Sequence, residues 1–294
     1  MDIAHLRRGS GPTVRRMLLG DALRRYRQRC GISRESAGER IRASASKISR
    51  MELGRVGFKP RDIEDLLKLY GVTDRKLLKE FKELAIESNK PGWWKEYGDA
   101  LHKWFTRYVG FEEAADHIRI YESQFVPGLL QTEEYAREII SGGVATDDIS
   151  EQRIQARLKR QEHLRGGKRM WIILDEAAVR RPIGGKERGK EIMRGQLRHL
   201  IDICENRNNI TLQIIPFEVG AHAAEAGSFT LLRFSDFELS DVLYLEHLTD
   251  GSIVDKPATV EAYTKAMTKL SVSAATPDET VSMLKGMIED LDED

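Results

Sequence analysis

Ser46, Lys47, Ser49 and Arg50 place four hydrogen-bonding side chains within five residues, directly after Ser44 and Ala45 and ahead of Gly54. Ser44 fits the N-cap of a short helix over Ala45 to about Leu53, because its hydroxyl accepts an amide hydrogen that the first turn leaves unpaired, and Gly54 ends that helix. Ile48 and Met51 then face inward, and the four polar side chains face out. Such a helix fits a major groove about 12 Å wide. Arg50 is the strongest base-reading candidate: a guanidinium donates two hydrogen bonds to guanine O6 and N7, worth about 1–3 kcal/mol of discrimination. Ser44 and the helix N-terminus suit a phosphate.

The elements before it support that reading. Met17, Leu18, Ala22, Leu23 and Tyr26 recur at three- and four-residue spacing, which predicts a helix over Val14 to Arg29. Gly31 stops it, and Ser33 caps a second helix over Arg34 to Ile41, with Arg42 and Ala43 as the turn. Two short capped helices joined by a tight turn form a helix-turn-helix. Pro60 opens a fourth helix carrying Ile63, Leu66, Leu67 and Tyr70, and Asp74 to Glu87 reads as a fifth. Residues 1 to 60 hold 15 basic and 5 acidic side chains, a net +10 that leaves −10 on the rest of a chain whose 47 Lys plus Arg balance its 47 Asp plus Glu. That asymmetry suits a polyanion at one end.

The 294 residues suffice for about two domains, and the 40% hydrophobic and 32% charged composition is globular. Ser88 to Gly92 has linker chemistry, placing a helix-turn-helix domain at residues 1–88 and a regulatory and dimerisation domain at 89–294. The fold class expected is α+β: an all-helical N-terminal domain, a helical segment, then a small-sheet C-terminal domain. Aromatic-rich helices hold Trp93, Trp94, Trp104 and Phe105, which are expected to fill a core. Helices follow near Glu133 to Ile140 and Glu151 to Arg165, and another near Lys190 to Asn206. Strands are expected at Met170 to Leu174, Ile210 to Pro216, Phe229 to Phe234 and Val242 to His247, and helices at Pro257 to Leu270 and Pro277 to Leu291. Residues 1 to 12 read as a frayed arm and Asp290 to Asp294 as a solvated acidic tail.

Other residues invite chemistry that the spacing does not support. Glu246 and His247 with Asp175 and Glu176 suggest acid–base work or a metal, yet no close ligand spacing exists, so no catalytic residue, metal or cofactor is expected. Arg153, Arg157 and Arg160, with Glu151 and Glu162, read as a solvated helix face whose functional alternative is docking an acidic partner. These three arginines, Glu246 and His247 are the candidate partner or ligand surface. Cys30 and Cys204 form no disulfide framework. That, the absence of a spanning apolar run and the lack of a secretion signal in Met1 to Pro12 predict a cytoplasmic chain without a membrane.

Gly31 through Ile41 followed by Ser44 through Gly54, within about Leu18 to Tyr70, resembles the Cro/cI-type (xenobiotic response element) helix-turn-helix family. The resemblance implies base-facing or nearby positions for Ala45, Ser46, Lys47, Ser49 and Arg50, a phosphate contact for Arg34, and an internal ion pair between Arg27 and Glu52. Arg42, Arg55 and Lys59 join Arg34 and Ser44 as expected phosphate contacts. The sequence departs at Ala37, where Leu is usual, at Gly38, where Ala is usual, and at Arg42, where Gly commonly makes the turn. Farther on, Tyr121-Glu122, Val126 through Glu133, Leu174-Asp175-Glu176-Ala177-Ala178, Gly220 with His222, and Glu246-His247-Leu248-Thr249 resemble the large C-terminal domain of WhiJ-like actinobacterial regulators.

Together these resemblances imply a transcriptional regulator, commonly a repressor in developmental or antibiotic-production control, often acting with a small partner protein encoded nearby. One short helix reads few bases, so a homodimer on double-stranded DNA with half-sites about 34 Å apart is expected. The alternative is an antitoxin-like or anti-regulator module that mainly holds a small protein and binds DNA for autoregulation.

Overall fold

The computed structural model describes residues 11–142, 147–163, 167–234 and 240–293. Most of the arm at residues 1–12, the end of the charged helix at 164–165 and the tail residue 294 lie outside the described residues. Of the described residues, 11–96 with 110–114 form one compact unit, and 97–109, 115–234 and 240–293 form a second.

The first unit holds α1 (Pro12–Arg29), α2 (Arg34–Arg40), α3 (Ala45–Glu52), α4 (Pro60–Leu69) and α5 (Arg75–Ser88). Local chemistry sets their starts. Pro12 and Pro60 occupy first turns, where a missing amide hydrogen costs nothing. Asp74 accepts from the Lys76 and Leu77 amides to open α5. Leu19, Ala22, Leu23, Ile48, Met51 and Phe81 fill the core at 0–1% exposure, and α3 and α5 each pack on α1. Gly20 permits the closest approach: a Cβ there would sit 2.4 Å from the Met51 carbonyl oxygen, so the α1 and α3 backbones meet with no room for a side chain.

The second unit is α+β. A 3₁₀ segment (Trp93–Ala100) and α6 (Lys103–Ala114), of which residues 97–100 and 103–109 belong to this unit, precede β1 (His117–Glu122). Then come α7 (Glu133–Ser141), α8 (Asp147–His163), β2 (Arg169–Asp175), α9 (Glu176–Arg180), α10 (Gly185–Asn206), β3 (Ile210–Ile215), β4 (Phe229–Arg233), β5 (Val242–Glu246), β6 (Gly251–Val254), α11 (Pro257–Ser273) and α12 (Pro277–Glu293). The six strands lie in the order β3-β2-β1-β4-β5-β6. β1, β2 and β3 are parallel; β4, β5 and β6 add antiparallel strands beyond β1. Helical crossovers join the parallel strands, as parallel pairing requires. On one sheet face Tyr121, Phe229, Leu231 and Leu243 pack with Val260, Met267 and Leu270 of α11.

β1 and β6 are strands that sequence periodicity did not reveal, and β1 is the strand that joins the parallel and antiparallel halves. The outer edge of β3 is covered at Ile214 by the chain from α11 into α12: the Ile214 amide donates to Thr280 Oγ1 at 3.2 Å and the Ile214 carbonyl accepts from the Ala275 amide at 2.8 Å. α12 also packs on α10. No described helix is long and apolar enough to cross a membrane.

Candidate functional site

Two capped helices and a tight turn make the first candidate surface. The Ser33 hydroxyl accepts from the Ser36 amide at 3.1 Å and the Ser44 hydroxyl from the Lys47 amide at 3.2 Å, so each helix begins on its own serine. Between them the Ala43 amide donates to the Gly38 carbonyl at 2.8 Å. This turn explains Gly38: a Cβ there would lie 2.5 Å from the Ala43 carbonyl oxygen. Arg42 adopts φ 54°, a left-handed backbone that a branched or bulky L-residue resists. Arg42→Gly is expected to raise the urea-unfolding stability by about 0.5–1 kcal/mol, since relief of a left-handed L-residue (about 1–2 kcal/mol) exceeds the added entropy of glycine in the unfolded chain (about 0.4–1 kcal/mol). An unchanged or lowered midpoint refutes the strain.

Ser46 and Arg50 on α3 are exposed, and Ala45 and Ser49 are half-buried at its flank. Lys47 does not stand free: its Nζ meets Asp62 Oδ2 of α4 at 3.0 Å. Arg42, Ser44, Arg55 and Lys59 are exposed around the same helices.

Behind α3, Arg27 Nε and Nη2 donate to both Glu52 oxygens at 2.5 and 3.0 Å, and Arg27 Nη1 donates to the Ile32 carbonyl. Arg34 Nε adds a third bond to Glu52 Oε2 at 3.1 Å while its side chain stays 41% exposed. Glu52 itself is 4% exposed, and its hydrogen bond raises the Arg27 pKa against the opposing cost of burial. α1, α2 and the end of α3 are thus tied to one carboxylate.

The second candidate surface is a cavity of about 330 Å³ in the other unit, at the carboxyl end of β1. Glu122 ends the strand, and the walls come from the chain after it, from the starts of α6 and β4, from α8, and from the end of β5. Glutamine side chains hold the wall segment: Gln131 Nε2 donates to the Val126 carbonyl, Gln196 Nε2 to Leu130, and Gln161 Nε2 to Gly128. Tyr108 and Tyr244 stack with centroids 3.9 Å apart. Phe105, expected to fill a core, instead lines this cavity, and Trp104 lines a smaller one beside it.

The arginine ladder is not a solvated face. Arg160 is 7% exposed, its guanidinium 4.9 Å from the Phe105 ring and 5.6 Å from the Tyr108 ring, where the π-faces attract a cation. Arg157 lines the cavity, and burial lowers its pKa to about 10. Arg153 Nε donates to the Ala100 carbonyl at 2.8 Å. Glu246 reaches the cavity rim and accepts from the Tyr244 hydroxyl at 3.1 Å, whereas His247 is exposed in the turn that follows. Glu122, not singled out as a site residue from sequence, is pushed up to about 7 by burial, with Glu246 adding to the shift and a Ser228 hydrogen bond opposing it.

His222, rather than His247, lies against Asp175. His222 Nε2 is 3.4 Å from Asp175 Oδ2 and 3.2 Å from the Tyr121 hydroxyl, and Nδ1 accepts from the Ala224 amide. Asp175 also caps α9 through the Ala177 amide, and Glu176 accepts from the Phe217 amide. These bonds fasten loops to the ends of β1 and β2. No group of three metal-binding side chains occurs among the described residues.

Comparison with known families finds two matches. Residues 18–81 match a family described as a helix-turn-helix domain, and residues 105–286 match one described as a domain of unknown function, DUF5753. No curated protein and no solved structure matches the chain. The helix-turn-helix match points to a DNA-binding regulator rather than an enzyme. The second match covers more than half of the 294 residues, and the chain belongs to the DUF5753 family, with a helix-turn-helix domain ahead of the family's own.

Proposed function

We propose that the protein is a sequence-specific transcriptional regulator, acting in the cytoplasm as a repressor and as a homodimer on an inverted-repeat operator. Residues 1–88 are its DNA-binding head, of Cro/cI type. Residues 89–294 dimerise and receive a small partner protein or ligand that modulates DNA binding, in the manner of WhiJ-like regulators. The observation that carries this reading is α3 itself: a capped helix presenting exposed Ser46 and Arg50 from a segment of net charge +10.

On DNA, Arg50 reads a guanine and Ser46, Ser49 and Ala45 lie along neighbouring bases. Lys47 reaches the groove by leaving Asp62. Arg34, Arg42, Ser44, Arg55 and Lys59 hold phosphates. Selection of bound duplexes from random DNA at near-physiological salt is expected to recover an inverted repeat with half-sites one helical turn apart. Arg50→Ala is expected to cost about 1–3 kcal/mol on the selected site and to relax preference at one base pair. Arg34→Ala should weaken all sequences alike and flatten the salt dependence. Sequence-blind selection, or an Arg50→Ala protein with unchanged preference, overturns the assignment of α3.

A further inference from the structure

The cavity at the carboxyl end of β1 has the place and the make-up of a ligand site. In open sheets with parallel strands, ligands collect beyond the carboxyl ends where neighbouring connections diverge. Here β1 has β2 parallel on one side and β4 antiparallel on the other, and the space opens directly beyond Glu122. Its walls combine apolar surface from Phe105, Phe125, Val126, Leu129 and Ile139 with a few convergent polar groups, the usual pattern of small-molecule pockets.

One of those polar groups lacks its natural counterpart. Arg157 makes a single hydrogen bond among the described residues, from Nη1 to the neutral Gln131 Oε1 at 2.6 Å. A guanidinium has five donors, and this half-buried one leaves most of them without a protein acceptor at the cavity wall. Arg160 is placed differently, its charge lying over the Phe105 and Tyr108 rings. An anion entering the cavity therefore meets Arg157 first.

From this geometry we propose that the cavity binds a small monocarboxylate with an aromatic or apolar body, its carboxylate on Arg157 and its body against Phe105, Phe125 and Leu129. A planar carboxylate matches the guanidinium fork. A phosphate monoester fits less well, because its second negative charge would face Glu246 and Glu122 in the same space. The volume of about 330 Å³ suits a molecule of one ring and a short acid chain. Naming this molecule as the effector rests on the regulator reading; its binding does not.

The test titrates the full-length protein, without DNA, with phenylacetate, phenylacetamide and phenyl phosphate, followed by calorimetry and by ligand-observed NMR. Phenylacetate is expected to bind saturably and at least tenfold more tightly than the amide or the phosphate, and Arg157→Gln to reduce its affinity at least tenfold. Equal affinity for acid and amide, preference for the phosphate, or no saturable binding of phenylacetate overturns the proposal. The acid-to-amide comparison is made in the unaltered protein, so it stands even where Arg157→Gln fails to fold. Failure here leaves the head's reading untouched, because that reading is tested by Arg50→Ala on DNA.

Discussion

Glu52→Ala is expected to destabilise the helix-turn-helix unit by about 3–5 kcal/mol, a large share of the stability of a domain of this size. The effect follows from what remains after the carboxylate is removed. Arg27 is 7% exposed and loses both side-chain bonds, keeping only its bond to the Ile32 carbonyl. An unpaired buried guanidinium costs more than the original pair contributed, since water cannot replace the lost carboxylate without opening the core. Arg34 loses a partner too, but its exposed side chain is resolvated at little cost. Chemical unfolding followed by amide exchange in α1 and α3 measures this. Replacing both partners, as Arg27→Met with Glu52→Leu, should recover much of the loss. A single Glu52→Ala variant within about 1 kcal/mol of the parent rejects the account.

The second large effect is a pH dependence centred on Glu122. Its carboxyl ionises near 7 in the folded chain against an ordinary value of 4.5, so between those values the native state holds a proton that the unfolded state has released. Stability must then fall as pH rises through this window, because the native state binds more protons. The contribution is intact below about 4.5 and fully lost above about 7, where keeping a charged carboxylate beside Glu246 costs up to about 3 kcal/mol. Ser228 offsets part of that by hydrogen bonding the ionised form. Glu122→Gln is expected to match the parent at pH 4 and to exceed its stability at pH 8 by up to about 3 kcal/mol. Parallel stability curves for the two proteins across pH 5–8 would show that the burial of Glu122 carries no such cost.

The helices were legible because their signals are local. Ser33, Ser44 and Asp74 cap where hydroxyl and carboxylate chemistry says they should, and α2, α3 and α4 start at the residues expected. Four strands with runs of apolar residues were equally plain. β1 was not: Ile118 and Ile120 alternate with His117 and Arg119 over only four residues before Tyr121 and Glu122, too short a run to stand out beside the aromatic-rich helix ahead of it. Those residues answer to distant partners: Arg119 lies over the Trp171 ring, and Glu122 faces the cavity. β6, four half-buried residues, is too short to carry a period.

The cavity was hidden for the same reason. Arg157 and Arg160 carry a charge pattern that suits solvent, and only the fold brings Phe105, Tyr108 and Gln131 against them. His247 drew attention through its neighbour Glu246, whereas the histidine beside Asp175 is His222, 47 residues along the chain from it. Sequence spacing carries no information about such a pair.

The fastening of β3 also bears on whether another chain can add at that edge. A bare edge strand is a template on which another chain can add by backbone pairing. At Ile214 both backbone groups already serve Thr280 and Ala275 of the same molecule, so a second copy finds no free ladder there. Strand addition by another chain is blocked at Ile214 by the protein's own chain between α11 and α12 and by the first turn of α12.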